Sequence, residues 1–314
     1  MTGFIVRRLG QAVVVTLGVT AITFLLLHLL PGSLAREIIG NRATAQEIAA
    51  FNHQWGLNSP LWYQYWKFLV ELLHGNLGYS FSKNRTTDSL LASELPRDLL
   101  LGGLSLVLSL IIAVPVGIAQ AVKRNGLVDY AGTGVSFFLY SMPQFSVALL
   151  LVQLLAITYH VFPAIVPQNE SAIYLLTHPR PIVLPVLSLA LVSYAAFSRF
   201  MRSSAIDTLA QDYMRTARAK GLPERLVLWR HLVRNSLLAV VTLVGLSIPT
   251  ILTGTLIIEA VFNYPGAGLE YYNATLSNDY QVMLGITVLV GMVTVVGNLL
   301  ADIGYALLDP RIRY

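Results

Sequence analysis

Residues Arg202 to Asn235 read RSSAIDTLAQDYMRTARAKGLPERLVLWRHLVRN, between two runs too apolar to sit in water, Ile182–Phe200 and Leu237–Val261. Within the stretch, Ala205–Lys220 has no Gly or Pro and is rich in Ala, Leu, Met and Arg, which predicts one helix. Gly221 stands where a helix-ending glycine takes a positive φ, and Pro223 stands where a second helix begins. Leu226, Trp229 and Val233, at i, i+3 and i+7, give that second helix an apolar stripe. The expected object is a helix–turn–helix elbow over 202–235 at a membrane surface, charged on one side and apolar on the other. Such an elbow is suited to docking a partner.

The flanks repeat along the chain. Of 314 residues, 55% are hydrophobic and only 12% charged, with a mean hydropathy of +0.64. A soluble domain carries roughly a quarter charged residues. Apolar runs fall at Leu9–Leu30, Leu99–Val122, Thr133–Tyr159 (broken at Ser141-Met142-Pro143), Ile182–Phe200, Leu237–Val261 and Val282–Leu308. They are continuous, not alternating, so helices and not barrel strands are expected to span the bilayer. The prediction is an all-α polytopic membrane protein with six transmembrane helices. Its expected parts are a first helix in 1–30, an extracytoplasmic loop with short helices in 31–98, and a five-helix core in 99–314. Ser33-Leu34-Ala35 loosely resembles a cleavage site. The first run is nevertheless longer than the 7–15 residues typical of a signal core, and is read as a retained span.

Basic residues set the orientation. With the N-terminus inside, Arg7, Arg8, Lys123, Arg124, Arg202, Arg215, Arg218, Lys220, Arg225, Arg230, Arg234, Arg311 and Arg313 are cytoplasmic, while Phe262–Tyr280 has no basic residue. Both termini are therefore expected in the cytoplasm. The pI near 9.4 is positive-inside charge, and nucleic acid is not an expected partner.

Enzyme chemistry finds no footing in the sequence. There is no phosphate-cradling GxxxxGK[ST] run, no HExxH and no GxSxG. Six histidines are scattered, and zero cysteines exclude disulfides and thiol catalysis. Polar residues inside spans are candidates for lining a pathway: Ser141, Gln144 and Ser146 in the third, Thr250, Thr253 and Glu259 in the fifth. Hydroxyls there also bond their own helix backbone, and Glu259 is placed to reach the interface. In the long loop, Pro60 begins a predicted short amphipathic helix bearing Trp62, Tyr63 and Trp66. Those aromatics fit either an interfacial belt or a contact surface for a protein outside the membrane.

Several longer segments carry a family resemblance: Arg7-Arg8 with Leu30-Pro31-Gly32, Leu57-Asn58-Ser59-Pro60-Leu61-Trp62, Gly75-Asn76-Leu77-Gly78, Arg215-Thr216-Ala217-Arg218-Ala219-Lys220-Gly221 and Arg230-His231. Glu259-Ala260-Val261-Phe262-Asn263-Tyr264-Pro265-Gly266-x-Gly268 and Ala306-Leu307-Leu308-Asp309-Pro310-Arg311 complete it. On these the chain resembles the first of two permease subunits of a dipeptide/oligopeptide ABC importer, with a type I importer fold. The resemblance implies a bacterial inner-membrane location, a second permease, two ATP-binding subunits holding ATP and Mg, and an extracytoplasmic peptide-binding protein. It also implies that a cytoplasmic EAA-x-x-x-G loop docks on the ATPase. The matching positions are Arg215, Thr216, Ala217 and Gly221, with arginine replacing the acidic residue. Tyr213, Arg218 and Lys220 join the expected coupling set. Trp62, Tyr63, Trp66, Tyr264 and Pro265 are the expected binding-protein contacts. Nickel chelates, oligosaccharides or other small solutes remain alternative cargoes, and a stand-alone secondary carrier or channel is the rival class.

Overall fold

The computed structural model describes residues 2–29, 44–54, 56–80, 82–252 and 256–308. The chain opens with α1 (Thr2–Leu29), followed by the short helices α2 (Ala45–Gln54) and α3 (Leu61–Leu73). Pro60 supplies the residue before α3, as its fixed φ and missing N–H favour. One side of α3 is tied to α1. The Tyr65 hydroxyl lies 3.1 Å from the Leu17 carbonyl and 2.9 Å from Thr20 Oγ1, and the Phe24 ring packs on Tyr65 and Phe68.

A two-residue antiparallel pair, β1 (Tyr79–Ser80) and β2 (Arg85–Thr86), with Tyr79 opposite Thr86, leads into α4 (Thr87–Val122). This helix begins twelve residues before the apolar run at Leu99, so the end of the predicted loop is helical. Leu90 and Leu91 explain the extension: both are buried, against Val282 and Ile286 of the last helix.

Next come α5 (Leu127–Ser141) and α6 (Gln144–Leu151), the latter prolonged by a π turn over Val152–Thr158. The predicted break at Ser141-Met142-Pro143 is a bend of 103°. Pro143 has no N–H to continue the ladder and disfavours helical backbone in the residue before it. After α7 (Ala172–Thr177), a 3₁₀ turn over Arg180–Ile182 starts α8 (Val183–Leu209). Then follow α9 (Asp212–Ala219), α10 (Glu224–Leu226) with a π turn over Val227–Val233, and α11 (Arg234–Leu252). The chain closes with α12 (Leu256–Phe262), α13 (Ala267–Leu276) and α14 (Tyr280–Leu308). The fifth run falls on α11 and α12, with 253–255 outside the described residues.

The fold is helical, with six helices or helix pairs (α1, α4, α5–α6, α8, α11–α12, α14) at the places of the six apolar runs. Among the described residues, Thr87–Val122, Arg180–Leu209 and Tyr280–Leu299 are long and apolar enough to cross a membrane, and the bent pair α5–α6 makes a fourth. The centre of the bundle is α4 against α8. Gly117 permits that approach: a methyl there would lie 2.7 Å from Met201 Cβ and 2.8 Å from the Ser198 carbonyl. α5 is fastened to the same helix by a two-pronged ion pair, Arg202 Nε and Nη2 donating to Asp129 at 2.6 and 2.8 Å, and by Ser136 and Ser198 hydroxyls 2.9 Å apart.

Candidate coupling elbow

The stretch that bends between α8 and α11 is a corner with a hydrophobic floor. The predicted single helix over Ala205–Lys220 is in fact two. α8 runs to Leu209, Gln211 is extended, and α9 restarts at Asp212. No Gly or Pro marks the break, because its cause is tertiary. Turning the corner lays Met214 and Ala217 of α9 onto Ala121, Ala205, Val227 and Leu232, all buried, with Ile206, Leu209 and Leu222 alongside. A continuous helix would carry Met214 away from that floor.

The far end of α9 closes as expected, with Gly221 at φ +76°. Gly221 N–H donates to the Arg218 carbonyl at 2.9 Å and Leu222 N–H to the Ala217 carbonyl at 3.4 Å. That paired pattern, with Leu222 packing beside Ala217, is the Schellman motif, and it needs left-handed backbone at the glycine. Arg218 and Glu224 then clasp across the turn at 2.8 and 3.2 Å. The Arg218 hydrogen bond holds the Glu224 carboxyl below the usual glutamate range, and Glu224 in turn raises Arg218. The clasp was missed in the sequence. Its signal is a pair of opposite charges bracketing Gly221-Leu222-Pro223.

Past Pro223 the predicted stripe is displaced. Leu226 is 38% and Trp229 67% exposed, while Val227 and Leu232 are fully buried. The cause is the π turn: its i→i+5 bonding places residues five apart on one face. Hydroxyls secure the base of the corner. Ser204 donates to the Ser236 carbonyl at 3.0 Å, and Ser236 to Thr208 Oγ1 at 3.3 Å.

Of the predicted coupling residues, Tyr213, Arg215, Thr216, Lys220 and Gly221 face outward, and Arg218 does so while engaged with Glu224. Ala217 does not: it is buried and anchors α9 to the bundle. Arg215 is 76% exposed, with Asp212 at 3.7 Å beside it.

The other predicted site residues lie elsewhere. Trp62, Tyr63 and Trp66 are exposed on α3. Tyr264 and Pro265 are buried, which corrects their expected role as surface contacts. The Tyr264 ring sits in the core with Leu175, Leu184 and Phe262, and its hydroxyl donates to the Arg97 carbonyl at 2.6 Å. Glu259 neither lines an open pathway nor reaches an interface. It is fully buried, and its Oε2 accepts the Leu269 N–H at 2.8 Å. Ser141 is exposed, but its hydroxyl donates to the Phe137 and Phe138 carbonyls of its own helix. Gln144 and Ser146 are half-buried in the first turn of α6. The Thr250 side chain and all of Thr253 lie outside the described residues.

Residues 113–314 match the family described as the binding-protein-dependent transport system inner membrane component, and residues 1–102 match the N-terminal membrane component of such systems. The chain belongs to this family. It is accordingly an inner-membrane permease subunit of an ABC transport system. It is 35% identical over 316 residues to the oligopeptide transport system permease protein AppB of Bacillus subtilis, covering 100% of both chains. Against the oligopeptide transport system permease protein OppB of Salmonella typhimurium the figures are 36% over 316 residues, again 100% of both. The glutathione transport system permease protein GsiC of the same organism is 34% identical over 314 residues, with 100% of both covered. The exposed face of α9, held on a capped and buried corner, is thus the candidate docking element of an ABC permease.

Proposed function

We propose that this permease imports di- and oligopeptides, forming the pathway with a second, similar permease and taking its driving force from two ATP-binding subunits. Those subunits hold ATP and Mg; the elbow over 202–235 faces the cytoplasm and receives their motion. A peptide-binding protein delivers cargo from outside, and the exposed Trp62, Tyr63 and Trp66 of α3 are offered to it. The observation that carries this reading is the geometry of α9. Its inner face is buried with the floor of the bundle, and its outer face presents Tyr213, Arg215, Thr216 and Lys220 with no covering element among the described residues. Moving a two-state bundle from 1:99 to 99:1 takes about 5.5 kcal/mol of differential binding. No phosphate-cradling motif in this chain supplies it, so it arrives from partners through the elbow. Peptide as cargo is supported by the full-length oligopeptide and glutathione relatives, glutathione being itself a tripeptide.

The test is uptake of labelled tripeptide in cells expressing the chain with its partner subunits and binding protein. ATP-dependent uptake, abolished by deleting this chain, is expected. Uptake of a nickel chelate or an oligosaccharide that unlabelled peptides do not compete would replace the cargo. Solute flux through the chain reconstituted alone would overturn the coupled mechanism.

A further inference from the structure

Inside the bundle, Arg199 has aromatic rings beside it where other arginines have acids. Arg97, Arg202 and Arg218 each pair with a carboxylate, those of Glu94, Asp129 and Glu224. Arg199, on an exposed part of α8, lies over two rings of α5 instead. Its Cζ is 4.8 Å from the centre of the Phe137 ring and 5.0 Å from that of Tyr140. Among the described residues it makes no hydrogen bond and no ion pair.

The direction of the side chain is informative. Ser136 and Ser198 hydroxyls, 2.9 Å apart, set the level at which α5 and α8 meet. From that level Arg202 reaches back to Asp129, the third residue of α5, whereas Arg199 reaches onward to Phe137 and Tyr140. Tyr140 is 13 residues, about 20 Å, along α5 from its start beside the basic Lys123-Arg124 turn. A snorkelling arginine turns toward the nearer water; this one turns into the membrane. The α5–α6 bend follows directly, with Ser141 and Pro143 exposed and Gln144 half-buried. Charged side chains within spans face the bundle interior or a water-filled cavity, and broken backbone at that depth is buried in protein or lines such a cavity. Arg199 and the bend therefore mark the side of this subunit turned toward the second permease and the path between the two.

We propose that Arg199 is the point in the pathway that recognises the carboxylate at the C-terminus of a peptide, an assignment that rests on the peptide reading above. That carboxylate is an anion shared by peptides of every length and side chain. A guanidinium matches it with two parallel N–H donors, and can donate from its edge while its face stays on an aromatic ring. The Phe137 and Tyr140 rings hold the cation without neutralising it. With no resident carboxylate to displace, a passing peptide can engage the charge and leave it.

The test uses the complete transporter in proteoliposomes with wild-type, Arg199→Gln or Arg199→Lys chains. The binding protein is saturated with a tripeptide or with the same tripeptide amidated at its C-terminus, so that its own preference does not enter the rates. Uptake of the acid should exceed that of the amide by about tenfold or more in the wild type, and the ratio should fall toward one in Arg199→Gln. Arg199→Lys, which keeps the charge and loses the fork, should give an intermediate ratio. Wild-type uptake with a ratio that neither variant moves overturns this proposal alone, and equal loss of both peptides would assign Arg199 to the contact with the second permease. No uptake of either peptide by the wild type sinks the peptide reading and takes this proposal with it. Arg199→Cys tests the position whatever the cargo, since the chain has no other thiol. That thiol should react with a small water-soluble sulfonate reagent in the assembled transporter; a thiol that stays unreactive would place residue 199 against lipid and overturn the site.

Discussion

The two ends of α4 are held by opposite chemistry. Ala121 lies in an apolar floor that carries the elbow, with the charges of α9 turned outward. Asp98, 23 residues and about 35 Å along the helix, lies among buried carboxyls closed over by Gly266, Tyr264 and α13. The first end keeps its polar groups available to another molecule. The second turns its polar groups inward. An end built to receive motion needs a firm floor and a free face, whereas a closed corner needs every donor and acceptor placed.

Substitutions can break that contrast, and the largest effect belongs to the closed corner. Gly266→Val drives a branched side chain into the Asp98 and Glu259 carboxyls and is expected to cost on the order of 3–5 kcal/mol. Fluorescence size-exclusion of detergent extracts will show loss of the monodisperse protein. In the elbow, Leu232→Ala should cost about 2–5 kcal/mol as a cavity in the floor, while Trp229→Ala, three residues earlier on the exposed face, should change melting by little. Equal effects of the two would return the apolar stripe to Leu226 and Trp229 and remove the π turn.

A smaller and more local effect is expected at Gly221. The space around it is open, so Gly221→Val meets only the left-handed backbone penalty of about 1–2 kcal/mol. The chain should still reach the membrane at normal yield while ATP-driven uptake falls, with Gly221→Asn milder than Gly221→Val. Normal uptake by the valine variant would show that the cap is not needed for coupling. Smallest is the exposed Arg218–Glu224 clasp. Because Glu224 is held below its ordinary value near ~4.3, its contribution is present above that pH and fades as pH falls through the lower folded value. Hydrogen exchange at Leu222 should rise in acid in the wild type and be insensitive to acid in Glu224→Gln.

Much of the bundle was legible because apolar runs of bilayer length and proline breaks act locally. Pro60, Pro143 and Gly221 all do what their backbone restrictions dictate. What the sequence hid depends on partners far along the chain. The break after Leu209 has no local marker, only a floor made by Ala121, Val227 and Leu232. The π turn shifts the buried face of the elbow by one position, which a 3.6-residue period cannot anticipate. Tyr264 and Pro265 look like loop residues, and Glu259 like a membrane-edge charge, until α4 closes over them. Asp98 reads in the sequence as the last residue of a loop. Its position opposite Gly266 and Gly268, two residues without side chains where carboxyls need room, was the available signal.

The central claim is that the outer face of α9 meets the ATP-binding subunits. The native chain has no cysteine, so Arg215→Cys introduces a unique thiol on that face. In the complete transporter a short bifunctional reagent should join residue 215 to an ATP-binding subunit, with the yield changing between nucleotide-free and ATP-bound states. An active transporter in which that thiol reaches no ATP-binding subunit, or reacts with a membrane-impermeant reagent added outside intact cells, would contradict the account.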